Sequence, residues 1–281
     1  MTRVAVVSDS VADLLPEQAQ AASITIVPLT VSFGDRDYVA GVDLTPEQFW
    51  QELTRDGAPF PRTAAAAPGT FRDTFERLLD EGHDEIVYVG VGSKLSATVQ
   101  SARVARDMLP DRQIHIVDSE TASMGIGLLA LEAAEMAGAG RSGAEISAAL
   151  EQRRRQLRLY VVLETLEYLK RGGRISPARA AIGGLLSVKP IITIDEGAVD
   201  TADRPRTRGK ARARLLELLG AIKPERVALL HGQAPEIEEF GADLARATGF
   251  PRERMSLNLV GSSVGPHIGP GAYGAVVLAA E

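Results

Sequence analysis

The chain has 281 residues, a formal net charge of −6 and no cysteine. That length suits two domains with substantial cores. The acidic balance argues against a protein built to coat nucleic acid, and the absence of cysteine excludes disulfides, thiol catalysis and thiolate metal sites. No stretch approaches the roughly 20 apolar residues of a membrane span, and the N-terminal apolar run is too short for a secretory signal, so a soluble cytoplasmic protein without stable membrane insertion is expected.

In chain order, Val4 to Val7 reads as a buried strand that delivers Ser8, Asp9 and Ser10 at its carboxyl end, where open α/β sheets bind ligands. A helix starts around Pro16, and Ile24 to Val31 reads as a second strand, followed by a turn at Gly34 and Asp35. Thr45 and Gln48 have capping-box spacing with Pro46 at the first helical position. Arg62 to Thr70, with four alanines closely bracketed by Pro61 and Pro68, reads as a loop before a helix over Phe71 to Glu81.

Ile86 to Val91 is an apolar, β-branched run, Gly92-Ser93-Lys94 breaks it, and Leu95, Val99 and Ala102 then fall at helical spacing. This strand, loop and helix place Ser93, Ser96 and Thr98 at a helix N-terminus, which suits a small anionic head group near Ser96. The plainer reading is that Ser93 or Ser96 caps the helix. Ile114 to Val117 is another strand, and a long alanine-rich helix runs on to about Met136. The alternation to this point predicts a parallel sheet with helices on both faces.

After a break at Gly138 to Gly143 the pattern changes. Strands are expected at Arg158 to Leu163, Lys189 to Ile194, Val227 to His231, Leu257 to Val260 and Ala272 to Ala279. Helices are expected at Glu164 to Lys170, Arg206 to Leu219 and Glu236 to Thr248, with a glycine turn at Arg171 to Pro177. The division expected is an N-terminal α/β domain over 1–155 and a C-terminal α/β domain over 156–281.

Gly261-Ser262-Ser263-Val264-Gly265 matches the Gly-x-Ser-x-Gly nucleophile pattern, with His267 close behind, which makes a serine esterase the rival from another class. Pro266, Gly269, Pro270 and Gly271 oppose the helix such an elbow needs, and no acid lies between Ser263 and His267. The four histidines show no metal-ligand spacing. Eleven basic residues against four acids between Lys170 and Arg214 form a local positive run on an acidic chain. That run reads either as a solvated helix face or as a docking surface for an acidic protein or phosphate-bearing ligand. No Walker pattern is present, because Gly90-Val91-Gly92-Ser93-Lys94 lacks the required spacing.

Several blocks in order resemble the DegV family, the FakB-type bacterial fatty-acid-binding proteins. They are Ser8-Asp9-Ser10-Val11-Ala12-Asp13-Leu14, Ser93 to Thr98, Asp118 to Gly125, Tyr168 to Ser176, Lys189-Pro190 and Gly265 to Gly271. The resemblance implies a two-domain α/β carrier, not itself an enzyme, with a lipid tunnel between or within its domains. It implies no cofactor, a long-chain fatty acid as ligand, and a separate ATP-dependent fatty acid kinase that phosphorylates the carboxylate for phospholipid synthesis. By the same resemblance Thr63, Ser96 and His267 contact the carboxylate, while Arg171, Arg174, Arg204 and Arg206 surround the entrance and the kinase-docking face. Met124, Gly125, Gly127, Ile182, Gly183 and Leu186 are expected tunnel walls. Two blocks depart from the family: its Thr-Ser-Gln-Pro-Ser-Pro loop is here Thr63-Ala64-Ala65-Ala66-Ala67-Pro68, and its Ser-Gly-Thr-Tyr is Ser96-Ala97-Thr98-Val99.

Overall fold

The structure, a computed structural model, describes residues 2–175 and 188–280. Strands β1 (Val4–Asp9), β2 (Ile24–Val27), β6 (Glu85–Gly90) and β7 (Gln113–Asp118) form a parallel sheet in the order β2-β1-β6-β7. Alternation along its strands feeds two cores. Val7, Ile86 and Tyr88 pack on α3 (Pro68–Asp80) and α4 (Thr98–Asp107). Val6, Val87 and Val89 pack on α5 (Met124–Gly138) and α6 (Gly143–Arg153). This is the three-layer arrangement that alternating strands and helices predict.

The second sheet has six strands in the order β10-β9-β8-β13-β11-β12, namely β8 (Leu157–Val162), β9 (Ile191–Asp195), β10 (Ala198–Asp203), β11 (Pro224–His231), β12 (Ser256–Leu259) and β13 (Tyr273–Ala279). It is mostly antiparallel, with β11 and β12 parallel. One face packs on α8 (Arg208–Gly220) and α9 (Ile237–Thr248) through Leu215, Leu219, Phe240 and Leu244. The other face carries Leu159, Val161, Ile192 and Leu230 into a core shared with Met124 and Leu128 of α5 and with Phe49 and Trp50 of α2 (Pro46–Leu53). Helix α5 thus lies between two sheets, which explains why it is apolar around most of its circumference.

Several segments differ from expectation. Ile24 to Val31 is two strands, because Pro28 follows β2 and the chain re-enters as β3 (Thr30–Phe33) in a separate antiparallel sheet with β4 (Arg36–Val39) and β5 (Arg62–Ala64). The alanine stretch expected as loop therefore opens as a strand, with Thr63 opposite Val31. Helix α4 begins at Thr98 rather than Leu95, because Ser96 Oγ takes the Thr98 N–H at 3.3 Å in a local turn.

Candidate functional site

The parallel sheet reverses its strand order at β1, which has β2 on one side and β6 on the other. Crevices at the carboxyl ends of strands form at such points. Here the six-stranded sheet lies over the crevice and leaves a partly open pocket of about 840 Å3, a volume that includes its solvent-open mouth. Its walls are mostly apolar: Val11, Leu29 and Val91 come from the parallel-sheet side, and Val161, Ile192 and Leu230 from the six-stranded sheet.

Thr63, Ser96, Arg174 and His267 all line this cavity. Thr63 Oγ1 stands 3.4 Å from His267 Nε2. The Arg174 guanidinium, whose charge acts on His267, is held by Nε donating to the Leu95 carbonyl at 3.1 Å and Nη1 to the Gly172 carbonyl at 2.7 Å. Ser96 follows Leu95 directly, and its Oγ lies 2.8 Å from Thr98 Oγ1. Four separate stretches of chain thus supply the polar groups on an otherwise oily wall.

His267 lies on a single helical turn, α10 (Gly265–Ile268), where sequence suggested an irregular Gly/Pro loop. Gly269, at φ +71°, ends that turn against the Tyr168 ring, where a Cβ would lie 2.3 Å from Cδ2. Burial, helped by the charge of Arg174, holds His267 down at about 4, so the imidazole is neutral at pH 7. Its Nδ1 is buried with no hydrogen-bond partner among the described residues, which favours the proton on Nε2, where Thr63 or an incoming carboxylate can accept it. The cluster then offers two hydroxyls, one neutral N–H and one cation, a donor set matched to an oxyanion.

The esterase constellation is not assembled. Ser263 Oγ lies 2.8 Å from Ser10 Oγ, His267 Nε2 faces Thr63, and no acid meets His267 Nδ1 among the described residues. Nor do the described residues include a group of three or more His, Asp or Glu able to hold a metal ion, or a helix long and apolar enough to cross a membrane.

The four docking arginines divide. Arg171 stacks over the Phe60 ring at 3.9 Å, Arg206 is exposed, and the Arg204 N–H donates to Asp203 at 2.6 Å. Arg174 instead lines the cavity, a placement the glycine-turn reading did not contain. Several cations of the positive run pair with acids, most of them from elsewhere in the chain. Lys189 and Arg208 share Glu164 at 2.6 and 3.1 Å, Arg208 also meets Glu236, Arg212 meets Asp243, and Arg214 meets Asp203 at 2.8 Å. Met124, Gly125 and Gly127 pack against Asn258, Thr121 and Ala12 rather than lining the cavity, where Ala122 and Ser123 stand instead. Ile182, Gly183 and Leu186 lie outside the described residues.

The chain matches the family described as uncharacterised proteins of the DegV family over residues 3–280. A DegV domain-containing protein of Caldanaerobacter subterraneus subsp. tengcongensis is 35% identical over 280 residues, covering 98% of each chain. The chain belongs to the DegV family. Among solved structures of this family, a fatty-acid-binding DegV protein from Thermus thermophilus superposes with a TM-score of 0.91 at 34% identity, covering 99% of this chain and 100% of its own. DegV from Bacillus subtilis, described as a fatty acid binding protein, gives 0.86 at 29% identity, with 98% of each chain covered.

One buried group of this DegV-family chain was only partly legible. Asp9, at 0% exposure, accepts hydrogen bonds from Tyr88 Oη at 2.5 Å, Val91 N at 3.1 Å and Val11 N at 2.9 Å. Burial pushes its carboxyl up despite these donors. The contacts fix the end of β6 and hence the loop that carries Leu95 and Ser96. The signal was a polar residue at the carboxyl end of the first strand; its partners were not visible in sequence.

Proposed function

We propose that this protein is a cytoplasmic carrier that buries one long-chain fatty acid in the cavity, with Thr63, Ser96 and His267 at the carboxylate. The carrying observation is the pocket itself: a mostly apolar, partly open space of about 840 Å3 including its mouth, with Thr63, Ser96, Arg174 and His267 all on its wall. A chain of about 15 methylenes at roughly 0.8 kcal/mol each gives about 12 kcal/mol of gross transfer energy before binding costs. Hydrogen bonds to the carboxylate add roughly 1.5–3 kcal/mol each and chiefly fix orientation. Arg174 joins the head-group contacts as the cation of the cluster. The fatty-acid-binding relatives from Thermus thermophilus and Bacillus subtilis support the ligand class.

In the same reading the carboxylate is presented to a separate ATP-dependent kinase, which makes the acyl phosphate, while Arg171, Arg204 and Arg206 mark the docking face. The division into domains at 1–155 and 156–281 belongs to the same proposal; residues from both stretches line the pocket. Native mass spectrometry of the purified protein tests the reading. A copurified mass matching a long-chain fatty acid is expected. An empty protein that hydrolyses p-nitrophenyl esters would overturn it in favour of the esterase.

A further inference from the structure

A second buried acid, unused by the carboxylate cluster, stands at the seam of the acyl cavity. Asp13 is 8% exposed and holds φ +51°, a left-handed conformation that non-glycine residues seldom adopt. Its carboxyl meets both sides of the molecule: Ser123 Oγ at 2.5 Å, just before α5, and the Gly261 N–H at 2.8 Å, just after β12. Its backbone carbonyl accepts from Asn258 Nδ2 at 3.0 Å, which locks the same junction. Gly261 begins the stretch that carries Ser263, Val264, His267 and Ile268 into the cavity wall, and Ser123 lines that cavity too. Asp13 itself faces a neighbouring open hollow of about 1280 Å3, which gives water a route to it.

We propose that Asp13 is a positioning residue that holds the 261–268 wall against the acyl cavity, and that its carboxyl is neutral when it does so. A neutral acid satisfies every partner: its hydroxyl on Oδ2 donates to Ser123, and Oδ1 accepts from Gly261. An ionised carboxylate at the same place is buried without a countercharge. Asp9 on β1 is a like charge acting on it, while Ser123 just before α5, Met124 of α5, Gln18 of α1 (Pro16–Ala21), and Asn258 and Gly261 are uncharged. Across the hollow Glu47 is titratable, and the described residues that line the hollow include no cation. Burial accordingly raises Asp13 to about 7. Lifting the wall would return the carboxyl to water, where its pKa is about 3.9. Between those values the closed form binds a proton that the open form lacks, so opening becomes easier as pH rises from about 4 to about 7 and levels off above that.

The inference rests on the fatty-acid reading, and the test separates the two. Full-length protein is loaded with cis-parinaric acid, and transfer to excess phosphatidylcholine vesicles is followed by fluorescence. The wild-type release rate should rise at least roughly tenfold from about pH 5 to about pH 7 and then flatten. Asp13→Asn, which mimics the neutral acid, should release at least roughly tenfold more slowly than wild type at neutral pH. The ligand's own titration is common to both proteins and cancels in their ratio, so that ratio should vary with pH. Asp9→Asn, which removes the like charge, should move the plateau to lower pH, and it tests the idea should the Asp13 variant not fold. A ratio independent of pH, or faster release from Asp13→Asn, would overturn the positioning role while leaving fatty-acid binding intact. Failure of wild type to bind the probe at any pH would reject the binding reading, and this role with it.

Discussion

Replacing Thr63 with valine removes one hydroxyl while keeping the shape and β-branching of the side chain on β5. Thr63 Oγ1 stands 3.4 Å from the neutral His267 Nε2, so the hydroxyl and the imidazole face the same small space. A hydrogen bond to a charged carboxylate is worth roughly 1.5–3 kcal/mol, so Thr63→Val should weaken fatty-acid binding by about 10- to 100-fold. In the proposed binding mode the acyl tail would draw on different residues, among them Val161, Ile192 and Leu230, which line the pocket. Each methylene should therefore still add about 0.8 kcal/mol, close to fourfold in affinity, in wild type and variant alike. The assay is a calorimetric titration of both proteins with saturated acids of increasing length and with the matching fatty alcohols. Two parallel lines are expected for the acids, offset by a constant, and coincident lines for the alcohols. An equal loss with the alcohols would refute the carboxylate contact, because it would show that Thr63 shapes the cavity rather than grips the head group.

Three further outcomes are expected. His267, lowered to about 4 by burial, contributes stability that is present above its unfolded value of about 6.5 and lost as pH falls through about 4. Asp13, raised to about 7, contributes stability that is present below about 3.9 and lost as pH rises through about 7. Urea midpoints between about pH 4 and pH 7 should thus fall with acid in Asp13→Asn and fall with alkali in His267→Gln; the same slope in both variants would contradict the assignments. Gly172→Ala sets a Cβ 2.2 Å from His267 Nδ1, so it should displace the imidazole and lower fatty-acid affinity, an effect read by the same titration; unchanged affinity would mean that the imidazole does not need its present position. Arg206→Ala should lower kinase turnover of the bound acid while leaving lipid occupancy by native mass spectrometry intact, and loss of lipid would count against a docking role.

Long apolar runs made the parallel sheet readable. Val4 to Val7, Ile86 to Val91 and Ile114 to Val117 are buried on both faces, and the helices between them left one arrangement. What stayed hidden depends on partners. Residues Arg36–Val39 and Ala198–Asp203 are strands at sheet edges, rich in polar residues that carry no strand-like apolar pattern. Arg62–Ala64 is a strand because β3 pairs with it, not because alanine favours strands. Helix α4 starts late because a serine hydroxyl competes for a backbone N–H.

The site shows the same division between local signal and distant partner. Thr63 and His267 are 204 residues apart, and Asp13 and Gly261 are 248 apart, so no local spacing announces either pair. Resemblance to the family supplied Thr63, Ser96 and His267, and they do share one cavity. The same resemblance put Arg174 around the entrance and the docking face; its guanidinium lines the pocket, donating to the carbonyls of Leu95 and Gly172. The surplus of basic residues from Lys170 to Arg214 overstated the surface charge, because the acids that pair with it, Glu164, Glu236 and Asp243, lie outside that run in sequence.

The most direct measurement is a crystal structure of the protein with palmitate. Continuous density should run along the cavity beside Val161, Ile192 and Leu230, with the carboxylate within hydrogen-bonding distance of Thr63, Ser96 and His267. An empty cavity, or a ligand whose carboxylate lies away from all three, would contradict it.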